Sequence, residues 1–239
     1  MAKQILTIFL MIILIPSLIG CAQTMHAIEH AKMTVTANMS DTIFLDAATL
    51  AKNRTAYVRV TNTSDMQEIA FEESLCERLR QKGIELVSDP SNAGYIIQAN
   101  VLYMDYEKQG LTADGMLAGG FGGALAGAAI SGDWKGSLAG GIVGGLAGAA
   151  VGSAFKVETF FGTVDVQIQE KVEGGVRGTM VTDATQGSAS RLYTEREVKS
   201  DYQTYRTRIV AKAKKTNIDR VEAAGVISEK LAHQIAGAF

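Results

Sequence analysis

The residues able to do chemistry in this chain are few and scattered. Three histidines, His26, His30 and His233, and two cysteines, Cys21 and Cys76, are the whole supply of imidazole and thiol in 239 residues. His26 and His30 lie four apart with Glu29 between them, a spacing that shares one helix face. A metal would need further ligands, and no others accompany them, so no metal site is expected. Cys76 flanks an apolar stripe with no base near it in sequence, and reads as a small half-buried thiol rather than a nucleophile. Glu68, Glu72, Glu73 and Glu77 fit a solvated helix face. Lys212, Lys214 and Lys215 form too small a cluster for nucleic acid, and a net charge of −2 from 23 basic and 25 acidic residues supplies no long-range field. Asn62-Thr63-Ser64 has the form of a glycosylation acceptor. No nucleophile, base and oxyanion set can be assembled, so the chain is expected to be no enzyme and to carry no cofactor.

Cys21 is different because of what precedes it. Lys3 gives a short positive start, and Ile5 to Ile15 is almost unbroken apolar sequence ended by Pro16. That run is too short to span a bilayer comfortably and fits a secretory signal. Leu18-Ile19-Gly20-Cys21 then resembles the lipobox of bacterial lipoproteins. The resemblance implies cleavage before Cys21 and its acylation, with Ala22 rather than Asp after it favouring the outer membrane. Several acyl chains, each contributing about 0.8 kcal/mol per buried methylene, would tether the mature chain firmly to membrane lipid. Cys76 is then left without an intrachain partner. The Asn62-Thr63-Ser64 match has no role in a bacterial lipoprotein.

The second anomaly is glycine. Of 25 glycines, 14 lie between Gly115 and Gly152, while proline occurs only at Pro16 and Pro90. Residues 115–131 and 136–155 carry no charge, and Gly132-Asp133-Trp134-Lys135 separates them. Within them Gly115, Gly119, Gly123 and Gly127, then Gly136, Gly140, Gly144, Gly148 and Gly152, recur every fourth residue. Leu117, Phe121 and Leu125, then Leu138, Ile142 and Leu146, repeat at the same period but two positions away, on the opposite side of a helix. Small residues at that period allow close approach of membrane helices, and the i±4 ridge favours a right-handed crossing. The pattern predicts a glycine-zipper transmembrane hairpin over residues 113–156, with Trp134 as an interfacial anchor. A flexible linker and a soluble core hairpin are the competing readings. A phosphate loop is excluded, because no G-x-G-x-x-G spacing and no Gly-Lys-Ser/Thr occurs. Glycine costs a helix about 1 kcal/mol per residue against alanine. So glycine-rich a helix needs packing partners, which points to a homo-oligomer.

With 47% hydrophobic and 20% charged residues, the flanks are folded rather than disordered. Thr42 to Leu45, Ala56 to Val60, Ile84 to Val87 and Tyr95 to Met104 read as strands. Ser64 and Gln67 fit a capping box for a helix through Gln81, with Phe71, Leu75 and Leu79 as its apolar stripe and Gly83 as its stop. Beyond the glycine segment, Thr163 to Glu170 alternates, Gly174-Gly175 is expected to turn the chain into a strand from Val176 to Thr182, and Tyr202 to Ala213 is another strand. Val221, Ile227, Leu231 and Ile235 mark a closing helix. The expected class is α+β: a small antiparallel-sheet α/β module interrupted by the Gly-rich transmembrane helical hairpin. Its divisions are a signal peptide at 1–20, a lipidated tether at 21–41, module halves at 42–112 and 157–239, and the hairpin at 113–156.

Several runs together resemble the TraT family. They are the lipobox, Asn62-Thr63-Ser64-Asp65, Ser88-Asp89-Pro90, Ile97-Gln98-Ala99-Asn100-Val101-Leu102, the Gly/Ala segment, Thr163-Val164-Asp165-Val166-Gln167-Ile168 and Tyr205-Arg206-Thr207-Arg208. The resemblance runs from about residue 40 to the C-terminus, and Ile97 to Leu102 is its most specific piece. It implies a homo-oligomeric, surface-exposed outer-membrane lipoprotein that blocks mating-pair stabilisation (surface exclusion in conjugation) and contributes to complement resistance. Its implied partners are membrane lipid, further copies of itself and donor-cell surface components. The alternative is a structural envelope lipoprotein with the glycine hairpin and no exclusion role.

Overall fold

Strand alternation dominates the second half of the chain. In residues 157–170 the even positions Phe160, Val164, Val166 and Ile168 are buried on one side, and opposite them lie Phe161, Thr163 and Asp165. A strand buried on both faces must be central to its sheet. The computed structural model describes residues 30–108, 110–122, 156–186 and 190–239. Its strands are β1 (Thr34–Met39), β2 (Thr55–Asn62), β3 (Glu85–Leu86), β4 (Tyr95–Tyr106), β5 (Val157–Gln186) and β6 (Ser190–Thr216). Its helices are α1 (Ala47–Lys52), α2 (Phe71–Gln81), α3 (Ala113–Ala118) and α4 (Arg220–Ala236), with a 3-10 turn at Pro90–Asn92.

The strands form one sheet in the order β1-β6-β5-β4-β2-β3. β1, β6, β5 and β4 are antiparallel neighbours, whereas β2 runs parallel to both β3 and β4. The sheet is therefore mixed, not antiparallel as expected, because α2 returns the chain to the same edge between β2 and β3. One face is covered by α2 and α4. Phe71, Leu75 and Leu79 of α2 and Ile227, Leu231 and Ile235 of α4 pack there with Ile97, Val101, Val164, Ile168 and Ile209. Arg78 donates to Glu229 at 2.7 Å and ties the two helices together. The close fit of α4 needs a glycine beneath it: a Cβ at Gly162 would collide with Ile227.

On β4 the pairing slips between Val101 and Tyr103, leaving Leu102 as an extra residue. That bulge lets Val101 and Met104 face the same core while Tyr103 turns to the opposite face. There Tyr103, Phe161 and Val210 receive Met116 of α3 in a second, smaller cluster.

The transmembrane helical hairpin is overturned. The helix carrying Gly115 is only six residues long, Gly119 is its C-cap, and Gly120 and Gly122 adopt φ of +56° and +73°. Glycine reaches that left-handed region at no steric cost, so the backbone leaves the helix where the periodicity called for it to continue. No helix among the described residues is long and apolar enough to cross a membrane, and the described chain is mainly a six-stranded mixed sheet with few helices. Gly123, Gly127, Gly136, Gly140, Gly144, Gly148, Gly152 and Trp134 lie outside the described residues.

Smaller expectations also change. Thr42 to Leu45 is no strand, although Ile43 is buried, and Thr34–Met39, inside the stretch read as tether, is strand β1 against β6. The Ser64–Gln67 pair sits ahead of α2 rather than capping it. Ser64 is held by the Asn62 side chain, and Ala70, at the actual N-cap, offers no side-chain bond. Gly83 does end α2, with φ +77°. Val221 lies outside the buried stripe of α4 and is 71% exposed. Gly174 and Gly175 do not make a hairpin turn. They form a bulge in a continuous strand, where residues 172–175 stand between the pairs Lys171↔Tyr202 and Val176↔Ser200. Two positive φ angles absorb the excess length, and the β5–β6 ribbon continues past the core to Gln186 and Ser190.

Candidate functional site

Polar residues gather on the face of the sheet that carries α3. Register alone sets them in rows. Arg59, Gln98, Gln167 and Arg206 are consecutive cross-strand neighbours on β2, β4, β5 and β6, and Thr61, Asn100, Asp165 and Arg208 form the next row. These rows come from the runs Ile97–Leu102, Thr163–Ile168 and Tyr205–Arg208. Their apolar residues build the opposite core, and their alternate residues build this face.

Arg208 is wholly buried and Asp165 nearly so. Arg208 Nε donates to Asp165 Oδ1 at 2.6 Å and its Nη2 donates to Oδ2 at 2.9 Å, a bidentate pair. The remaining valences reach α3 and the glycines after it. Arg208 Nη1 donates to the Met116 carbonyl at 3.2 Å, and Asp165 Oδ2 accepts the Gly122 N–H at 2.8 Å. The Met116 carbonyl lies among the last four of its helix, which lack a partner within the helix, and a cation there also suits the helix dipole. Thr163 Oγ1 donates to Met116 Sδ at 3.0 Å. One buried ion pair thus pins the segment from Met116 to Gly122, where the chain enters the glycine-rich stretch. The chain's return is held separately: Lys156 N–H donates to Asn217 Oδ1 at 2.9 Å, and Asn217 N–H donates to the Lys156 carbonyl at 2.7 Å. Asn217 supplies the required φ of +50°, which Asn tolerates better than most residues.

The neighbouring row is a chain of hydrogen bonds. Arg206 Nε donates to Gln167 Oε1 at 2.8 Å, and Gln167 Nε2 donates to Gln98 Oε1 at 2.9 Å. The Arg206 guanidinium also lies 5.3 Å from the centroid of the Phe121 ring. The residues of both rows other than Arg206, together with Phe121 and Gly122, line an open groove of about 460 Å³.

A third polar centre lies on the helix-covered face. Glu170, buried, accepts from Tyr95 Oη at 3.2 Å, Tyr205 Oη at 3.0 Å and the Asp46 N–H at 3.1 Å. The Asp46 carboxylate in turn caps α1, which holds its pKa below the ordinary range. Burial and the nearby Glu170 charge push the Tyr95 hydroxyl well above the usual phenol value. Cys76 is half-buried, and burial, then the charge of Glu72, raises its thiol pKa, the direction of an unreactive thiol.

Of the residues singled out in the sequence, Gly115 lies in α3, where its N–H donates to Thr112 Oγ1, and Gly119 caps that helix. Cys21 lies outside the described residues. No three-ligand grouping of His, Cys, Asp and Glu occurs among the described residues. Sequence reasoning missed Arg59, Gln98, Asp165 and Arg208 as a group. The available signal was polar residues alternating through three strands whose other face is strongly apolar.

The family described as "Enterobacterial TraT complement resistance protein" matches residues 32–239. A TraT complement resistance protein from Escherichia coli is 36% identical over 226 residues, covering 91% of this chain and 90% of the relative. Its counterpart from Escherichia coli strain K12 is 34% identical over 230 residues, covering 92% of each. One from Wigglesworthia glossinidia brevipalpis is 29% identical over 101 residues, covering 42% of this chain and 41% of the relative. Among solved structures, a PelC dodecamer from Paraburkholderia phytofirmans covers 86% of this chain and 98% of its own, at 12% identity and a TM-score of 0.33. At that score no structural kinship follows.

Proposed function

This chain belongs to the TraT complement resistance protein family, and from that premise we propose that it is a lipid-anchored outer-membrane protein exposed at the bacterial surface. There it reduces complement killing and hinders stable mating contact with donor cells. The observation that carries the reading is a family match spanning the whole ordered sheet, residues 32–239, preceded by Leu18-Ile19-Gly20-Cys21. Cys21 is the acylated residue, and membrane lipid is its first partner. The protein works as a homo-oligomer and by steric and binding effects, with donor-cell surface components as the opposing partners.

Expression in a recipient strain tests the reading. Survival in serum should rise and conjugation frequency should fall. Cys21→Ala should abolish incorporation of labelled palmitate and both phenotypes. Unchanged serum survival and unchanged conjugation across several plasmid systems would leave only a structural envelope role. The size of the detergent-extracted complex tests the oligomer separately.

A further inference from the structure

The hydrogen-bond chain across the groove has a direction, and the direction exposes a donor. Arginine can only donate, so the Arg206 contact fixes the Gln167 carbonyl oxygen toward β6. Gln167 must then offer its amide nitrogen to Gln98, which fixes the Gln98 oxygen toward β5. The Gln98 nitrogen is left over, and its remaining cross-strand neighbour is Arg59. Arg59 is exposed and has no partner among the described residues. Two donors therefore stand side by side at one end of the groove, one of them a full cation. The Asp165 charge does not neutralise them, since both its oxygens are engaged by Arg208 and one also by Gly122.

The other lining groups narrow the ligand. Asn100 and Thr61, in the next row, present an amide and a hydroxyl, and Phe121, 38% exposed, supplies an apolar wall. Of the two cations lining the groove, Arg208 is neutralised by Asp165 and Arg59 is not, and that single charge matches a monoanion better than a phosphate dianion. Neutral amide and hydroxyl groups beside an aromatic surface suit a ring bearing several hydroxyls. We propose that this groove binds an acidic saccharide, with its carboxylate on Arg59 and Gln98 Nε2, its hydroxyls toward Asn100 and Thr61, and its ring against Phe121. The volume of about 460 Å³ accommodates a small saccharide. The proposal does not depend on the surface-exclusion reading.

Calorimetric titration of the full detergent-extracted protein with glucuronate, glucose and inorganic sulfate tests it. Glucuronate should bind with a Kd of about 1 mM, with affinity falling as salt rises. Glucose and sulfate should each bind at least about tenfold more weakly. Arg59→Ala should weaken glucuronate by about tenfold or more while leaving thermal melting unchanged, because Arg59 is exposed and has no partner among the described residues. Gln98→Glu keeps the acceptor for Gln167 but places a carboxylate beside Arg59, and should abolish binding. Absence of glucuronate binding, equal affinity in Arg59→Ala, or sulfate binding as tightly as glucuronate would each overturn the proposal.

Discussion

Asp165 and Arg208 stand directly opposite each other on β5 and β6, and between them they hold both ends of the segment from Met116 to Gly122. The same pair thus closes the sheet's polar face and fixes the place where the glycine-rich stretch departs. Lys156 and Asn217 fix its return at the N-terminal end of β5. Val157 and Asp165 are eight residues apart along that strand, about 26 Å at 3.3 Å per residue. The departure and return points are therefore well separated on the sheet.

Breaking that pair should be costly. Asp165→Asn leaves a buried guanidinium without its counter-charge, and a loss of about 3–5 kcal/mol in unfolding free energy is expected from denaturant titration. Arg208→Met should cost a similar amount by stranding Asp165. Limited proteolysis of both variants should show faster cleavage near Gly122. A destabilisation below about 1 kcal/mol, with unchanged proteolysis, would remove the clamp from the account.

Gly162 and Ile227 should be energetically coupled. Gly162→Ala drives a methyl into the α4 side chain and is expected to cost about 1–3 kcal/mol. Ile227→Ala opens a cavity and costs about 2–5 kcal/mol alone. Because the new methyl would occupy part of that cavity, the double variant should be less destabilised than the sum of the two. Strict additivity in a double-mutant cycle would count against the close packing of α4 on β5.

Alkaline pH should unfold the protein through its tyrosines. Tyr95, Tyr103, Tyr106 and Tyr205 all have pKa values raised above 10.0, first of all by burial. Their contribution to stability is complete below the ordinary phenol pKa. It is lost as pH rises from there toward the folded values, because the unfolded chain ionises first. The denaturant midpoint should therefore fall above about pH 10, with tyrosinate absorbance appearing in step with unfolding. Tyr95→Phe should flatten that dependence. Titration of all the tyrosines near pH 10 in the folded state would refute it.

The bulge in β5 should govern the ribbon and not the core. At Gly175, φ is +69° and an added Cβ would lie 3.0 Å from the Ser200 carbonyl oxygen. Gly175→Ala should therefore lose roughly 1–2 kcal/mol of local stability. Hydrogen exchange should quicken beyond Lys171 and Tyr202 while the strands under α4 keep their protection. Loss of protection throughout the sheet would show that the bulge is not a local device.

Some of this protein was written in short-range pattern. The stripe of Phe71, Leu75 and Leu79, the stop at Gly83 and the alternation of Thr163 to Glu170 were all readable, because each follows from one buried face and a local period. Family kinship was readable too, in the runs that became β4, β5 and β6. Tertiary structure decided what pairing decides. Thr34–Met39 carries no strong apolar signal and is a strand because β6 offers it an edge. Gly174 and Gly175 look like a turn in isolation, yet they bulge because the partner strand continues past them. The four-residue glycine period suggested a helix, but Gly120 and Gly122 take positive φ, and Asp165 on β5 receives the Gly122 N–H. Arg59, Gln98, Gln167 and Arg206 are separated in sequence by 39, 69 and 39 positions. Only strand register makes them neighbours, since the sequence carries each strand's period while the partner and offset come from packing between distant segments.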